Sequence, residues 1–245
     1  MAEFLLVHGA WHGSWCWDDL IPFLAARGHA AHVMDLPGLG DDRTPLGDVT
    51  LDAYISCVTD RVKRIDRPLW LVGHSMAGIP ITQAAEGVTD NLKGLIYVTA
   101  FIPAHGQSLI QLAMADSESR LNAVMVQDQA NGTARVPEEH LRECFYSLCD
   151  ERSFKKALAR LSRVQASLPA ITPVSLSGKL DRIPKFYVEC LQDKAISIEA
   201  QRRMHRAATV ARVTTLDSDH SPFFSCPDRL AALMDELVMD EAALR

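Results

Sequence analysis

The chain has 245 residues, 48% of them hydrophobic, enough to bury one full core, and a single domain is the expectation. Its net charge is −6 and its 25 Lys and Arg are scattered, so no basic stripe is available to neutralise a phosphate backbone and nucleic acid is not an expected partner. No uncharged apolar run approaches the roughly 20 residues that span a bilayer, and Met1-Ala2-Glu3 leads straight into Phe4 without a basic segment or cleavage site, so the expectation is no membrane association and a cytoplasmic location.

Phe4 to Val7 predicts a strand, and Trp17 to Arg27 a helix ended by Gly28, where left-handed backbone closes the last turn. His32 to Asp35 predicts the next strand, running into the turn Leu36-Pro37-Gly38-Leu39-Gly40. Thr50 caps a helix whose apolar residues Leu51, Tyr54, Ile55, Val58, Val62 and Ile65 follow helical spacing, and Pro68 marks its exit. Leu69 to Val72 reads as a buried strand, Ala77 to Glu86 as a helix and Leu95 to Ala100 as a strand. This alternation points to an α/β fold with a mostly parallel, doubly wound sheet.

From about Pro103 to Leu180 the alternation stops. Segments of mixed polarity, Leu109 to Met114, Glu138 to Leu148 and Phe154 to Leu161, predict a helical cap at 104–180, inserted into a core of 1–103 and 181–245. Strands resume at Lys185 to Cys190 and Arg212 to Leu216, and Pro227 to Val238 predicts a closing helix with Leu230, Leu233, Met234 and Leu237 on one face. The six cysteines, Cys16, Cys57, Cys144, Cys149, Cys190 and Cys226, form no C-x-x-C pair and read as reduced, mostly buried small hydrophobes.

The strongest chemical signal is Gly73-His74-Ser75-Met76-Ala77-Gly78, between a predicted strand and a predicted helix. A hydroxyl on a sharp strand-to-helix turn stands clear of the backbone, and the helix N-terminus stabilises negative charge beside it. Ala77 stands where the G-x-S-x-G pattern has its second glycine, with Gly78 following. A serine needs a base held by a third group. His220, in the loop Asp217-Ser218-Asp219-His220-Ser221-Pro222 after the last predicted strand, is the candidate base among nine histidines. Asp193, three residues beyond the strand Lys185 to Cys190, is the candidate acid, and Asp217 and Asp219 are its rivals. Acyl transfer also needs backbone N–H donors for an oxyanion. Met76 and Ala10, the latter in the loop His8-Gly9-Ala10-Trp11-His12-Gly13, are the candidates. His8 and His12 lie four apart without the H-E-x-x-H pattern, so no metal and no cofactor is expected.

These stretches resemble the α/β-hydrolase superfamily, and more closely the branch that holds plant methyl esterases, hydroxynitrile lyases and related bacterial carboxylesterases. The likeness rests on His8 to Trp17, Asp35 to Gly40, Gly73 to Gly78, Tyr187 to Ile196 and the Asp219-His220 loop. It implies the α/β-hydrolase fold, the triad Ser75, Asp193 and His220, and Ala10 and Met76 as oxyanion donors. In lyases of this branch a Lys follows the histidine and a Thr stands at the position of Gly9; Ser221 and Gly9 here imply ester hydrolysis instead. A dehalogenase of this fold would need an aspartate at Ser75.

The expected activity is thus a serine carboxylesterase acting on a fairly apolar small-molecule ester, with Trp11, Phe101, Leu148, Phe154 and Phe223 as candidate pocket residues. A binding protein or receptor on a hydrolase shell, an acyltransferase and lyase-type chemistry at the same site are the alternatives. A homodimer fits this branch.

Overall fold

The computed structural model describes residues 1–243. Six strands form one sheet: β1 (Glu3–Val7), β2 (Ala30–Met34), β3 (Leu69–His74), β4 (Leu92–Val98), and, after a long excursion, β8 (Lys185–Cys190) and β9 (Arg212–Leu216). Their spatial order is β2-β1-β3-β4-β8-β9, and every neighbouring pair is parallel.

Parallel strands need crossovers that cover both faces of the sheet, so their side chains are apolar on both sides. Phe4, Leu6, Trp70, Val72, Ile96 and Val98 point to one face, where they pack with Leu24 of α1 (Ile21–Ala26) and with Leu230, Met234 and Leu237 of α11 (Pro227–Ala243). Leu5, Val7, Leu71, Leu95 and Tyr97 alternate to the other face, against Tyr54 and Val58 of α2 (Leu51–Ile65), Ile79 and Ile81 of α3 (Gly78–Ala85) and Met204 of α9 (Ile198–Ala207).

Thr50 caps α2 as its spacing implies, its hydroxyl accepting from the Ala53 N–H at 3.0 Å. The first helix is shorter than its sequence suggests. Trp17 ends a separate 3-10 turn at Ser14–Trp17, and α1 begins beside Pro22 because proline suits a first helical turn and would break a ladder running through it. Gly28, at φ 78°, closes this helix as expected.

Between β4 and β8 the chain builds a cap over the carboxyl edge of the sheet. It holds α4 (Leu109–Met114), α5 (Arg120–Val124), α6 (Glu138–Phe145), α7 (Glu151–Arg160) and α8 (Leu168–Ile171). The expectation of a purely helical cap is corrected: β5 (Val126–Asp128), β6 (Thr133–Arg135) and β7 (Gln165–Ala166) form a three-stranded antiparallel sheet within it. Strands of two or three residues are too short to show period-two alternation, so the sequence carried no sign of them.

The chain runs outward from β1 to β2 and then returns to lay β3 on β1's other side. The crevice at such a reversal lies beyond the carboxyl ends of β1 and β3. The loop 8–13 leaves β1 there, and Ser75 follows β3.

Candidate active site

Ser75 opens a short 3-10 turn, Ser75–Ala77, that continues into α3. Its φ of 54° is left-handed, a conformation a non-glycine residue keeps only where its surroundings impose it. Two glycines make the turn fit. A Cβ on Gly73 would lie 2.6 Å from Ile81 Cδ1, and one on Gly78 would collide with the carbonyl oxygen of Phe101. The Phe101 N–H donates to the Ser75 carbonyl at 3.1 Å, drawing these two segments together. The close approach therefore falls at position 78 rather than 77, which explains why Ala77 is accommodated.

Ser75 Oγ lies 3.0 Å from His220 Nε2, and His220 Nδ1 lies 2.6 Å from Asp193 Oδ2. A carboxylate can only accept, so Nδ1 carries the proton and the Nε2 lone pair faces the serine hydroxyl. Asp193 is buried, and all its bonds come from donors: Thr99 Oγ1 and His220 to Oδ2, the N–H groups of Ala195 and Ile196 to Oδ1 at 2.7 and 2.9 Å. The rival carboxylates serve elsewhere. Asp217 is exposed and accepts from Gln192 at 2.5 Å. Asp219 is buried, and it takes the Leu148 N–H at 2.8 Å and the Ser221 N–H at 3.1 Å, so it joins the cap to the histidine loop.

Beneath His220 lies His74, fully buried, its ring centroid 4.6 Å from that of His220, its Nε2–H donating to the His220 carbonyl at 2.8 Å. In the loop after β1, His8 Nδ1–H donates to the Gly9 carbonyl and His12 Nδ1–H to the Ala10 carbonyl, each at 2.8 Å. Tyr146 of the cap donates its hydroxyl to His12 Nε2 at 2.7 Å. Burial lowers the pKa of His8 and of His74, and brings that of His12 to about 3, so these rings are neutral supports. Burial raises the thiols of Cys16, Cys57, Cys144, Cys149 and Cys190 instead, that of Cys144 to about 11, and all six cysteines are free. Among the described residues no cluster of three or more His, Cys, Asp or Glu is placed to hold a metal ion, and no helix is long and apolar enough to cross a membrane.

Ser75 opens into a cavity of about 70 Å³ between the core and the cap. Ala10, Trp11, Met76 and Phe101 line it from the core, and Leu109, Leu121, Met125, Gln165 and Ile171 from the cap. Its lining contains no ionisable side chain. A larger groove of about 1010 Å³, lined by Thr82, Tyr97 and Arg203 among others, contains neither Ser75 nor His220.

Of the five expected pocket residues, Trp11 and Phe101 line the cavity and three do not. Leu148 is exposed, and it is its backbone N–H that is engaged, by Asp219. Phe154 packs tilted against Tyr146, ring centroids 5.7 Å apart, beneath the Arg142 guanidinium and outside the cavity. Phe223 is fully buried against Trp17 and His74, at 5.0 and 4.9 Å, so it fills the core under the site. Sequence reasoning missed Thr99, Tyr146 and Gln165, none of which belongs to a motif.

The chain is similar to known proteins over most of its length. Residues 4–233 match the Alpha/beta hydrolase family. The chain is 31% identical to a pyrethroid hydrolase of Sphingobium wenxiniae over 243 residues, covering 94% of this chain and 85% of that protein. It is 30% identical to methylesterase 7 of Arabidopsis thaliana, over 96% of this chain and 95% of the relative. A crystal structure of a pyrethroid hydrolase from Sphingobium faniae superposes with a TM-score of 0.83 at 28% identity, over 96% of each chain. This chain belongs to the alpha/beta hydrolase family and is a carboxylic ester hydrolase.

Proposed function

We propose that the enzyme hydrolyses neutral, predominantly apolar carboxylic esters through an acyl-enzyme on Ser75. The reading rests on one observation: the hydrogen-bonded chain from Ser75 through His220 to Asp193 opens into a cavity without an ionisable side chain. His220 takes the serine proton as Oγ attacks the ester carbonyl, and the N–H groups of Ala10 and Met76 receive the developing oxyanion. Collapse expels the alcohol, protonated by His220, and a water activated by the same imidazole then releases the acid and restores Ser75. Asp193 holds the imidazole in the required tautomer and stabilises its positive charge. A substrate bearing a free carboxylate would be desolvated in this cavity with no cationic side chain to pair it, which disfavours such esters.

The names of the relatives, a pyrethroid hydrolase and methylesterases, fit ester cleavage. Lyase chemistry fits less well. A Cβ at Gly9 would lie 2.8 Å from both His74 Nδ1 and Ser75 Cβ, leaving no room there for the threonine of the lyases, and Ser221 stands in place of their lysine.

The test is hydrolysis of p-nitrophenyl acetate, butyrate and hexanoate, and of the mono-p-nitrophenyl ester of succinic acid, by wild type and Ser75→Ala. The expected result is turnover of the neutral esters, at least about 10²-fold lower kcat/KM for the charged one, and loss of activity in the variant down to a residue of roughly 10³ to 10⁴ over water. Equal rates in wild type and variant would refute the reading.

A further inference from the structure

Trp11 follows Ala10 in the loop after β1, and its backbone takes a left-handed φ of 60°. An aromatic residue stays there only where other groups fix it. The cap fixes each of its polar groups. The Trp11 N–H donates to Gln165 Oε1 at 2.7 Å, its carbonyl accepts the Ser162 N–H at 2.8 Å, and its indole N–H donates to the Ala134 carbonyl at 3.1 Å. Gln165 is buried in β7, and its amide nitrogen also reaches Met76 Sδ at 3.0 Å. One cap side chain thus touches both segments that carry the oxyanion donors.

The geometry of the two peptide planes gives this bridge a role. Ala10's N–H belongs to the Gly9–Ala10 peptide, whose carbonyl is held on the opposite side by His8. The next peptide, Ala10–Trp11, has its carbonyl held by His12 and its N–H by Gln165. A peptide unit is planar, so anchoring both of its ends sets the torsions that join it to the preceding plane and hence the direction of the Ala10 N–H. Without an acceptor at Gln165 the buried Trp11 N–H loses its partner, and the loop gains a reason to rotate.

We propose that Gln165 is a positioning residue for the oxyanion hole, through which the small cap sheet holds the Ala10 donor in line with Ser75. The proposal rests on the acyl-enzyme reading of Ser75 given above. Gln165 acts on the transition state by aiming a donor, so its loss falls on kcat and on the affinity for tetrahedral adducts, and leaves the binding of planar ligands intact.

The experiment compares wild type with Gln165→Met, which keeps the length of the side chain and removes the amide, and with Gln165→Leu as a second variant should the first fail to fold. Circular dichroism and thermal melts confirm the fold. Kinetics on p-nitrophenyl butyrate are paired with inhibition by an alkyl trifluoromethyl ketone, which forms a hemiketal oxyanion with the serine, and by the matching methyl ketone. The expected result is a roughly 10- to 100-fold lower kcat with KM within threefold, an equal loss of trifluoromethyl ketone affinity, and methyl ketone affinity within threefold. A kcat within threefold of wild type, or a loss that falls equally on both ketones and on KM, would overturn the positioning role. Wild type that neither turns over the ester nor prefers the trifluoromethyl ketone would overturn the Ser75 reading itself, and this proposal with it.

Discussion

Thr99 and His220 converge on a single atom, each donating to Oδ2 of Asp193. Thr99 lies just past β4 with a left-handed φ of 36°, and its N–H is held by the Val188 carbonyl of β8 at 2.9 Å. The carboxylate that orients the imidazole is therefore itself oriented from two neighbouring strands. Thr99→Val preserves the shape and removes the donor. The loss of a hydrogen bond to a charged group is worth about 1.5 kcal/mol, so kcat should fall roughly tenfold with KM little changed, and Thr99→Ser should recover most of it in steady-state kinetics.

Gly78 and Ala77 differ in what surrounds them. A methyl at position 78 would run into the Phe101 carbonyl, whereas position 77 already holds one. Gly78→Ala is expected to lower stability by about 2 kcal/mol or more and to displace Ser75, while Ala77→Gly costs about 1 kcal/mol at most and keeps the activity. Urea denaturation and kcat/KM on the same preparations check both; equal effects at the two positions would refute the packing argument.

Acid should destabilise this fold through its buried imidazoles. The pKa of His12 is about 3 in the folded protein, because burial disfavours its charge, and an unfolded histidine titrates near about 6.5. Between these values the unfolded chain binds more protons than the folded one. The stability that comes from keeping the ring neutral is complete above about pH 6.5 and is lost as pH falls toward the folded value. His8 and His74 are lowered in the same direction. Removing His12 as His12→Gln should flatten the dependence of unfolding free energy between pH 6 and pH 4 by up to about 1.4 kcal/mol per pH unit, measured by urea titration. Parallel curves for the two proteins would show that His12 does not titrate on unfolding.

The cavity lining separates residues that neighbour each other in the sequence reading. Phe101→Ala and Leu121→Ala enlarge the cavity and should shift acyl-chain preference toward longer chains by about tenfold in kcat/KM, as a methylene or two in an apolar pocket allows. Leu148→Ala and Phe154→Ala, both outside the cavity, should leave that preference within twofold.

The elements of the candidate site were readable where they are written in contiguous residues. Gly73 to Gly78 announces a strand-to-helix turn by its small residues, and the strand before it by its apolar run, so the position of Ser75 followed from local pattern alone. Asp193 and His220 were readable because each follows a recognisable strand. The supports were not. Gln165 meets Trp11 across 154 positions of chain, and Thr99 meets Asp193 across 94, separations over which a sequence without any pairing signal is silent. Phe223, expected in the pocket, turns its ring down between Trp17 and His74 instead. Leu148 contributes a backbone group, which no side-chain pattern encodes.

The proposed mechanism turns on covalent attachment of the acyl group to Ser75. Its most direct measurement is intact-protein mass spectrometry after incubation with p-nitrophenyl diethyl phosphate, whose phosphoryl adduct on a catalytic serine is slow to hydrolyse, followed by peptide mapping. The expected result is release of p-nitrophenol in a one-to-one burst, a single diethylphosphoryl group located on Ser75, and no adduct in Ser75→Ala or, on the same time scale, in His220→Ala. An unmodified wild type, or a label carried by another residue and retained in Ser75→Ala, would contradict the assignment of Ser75 as the nucleophile.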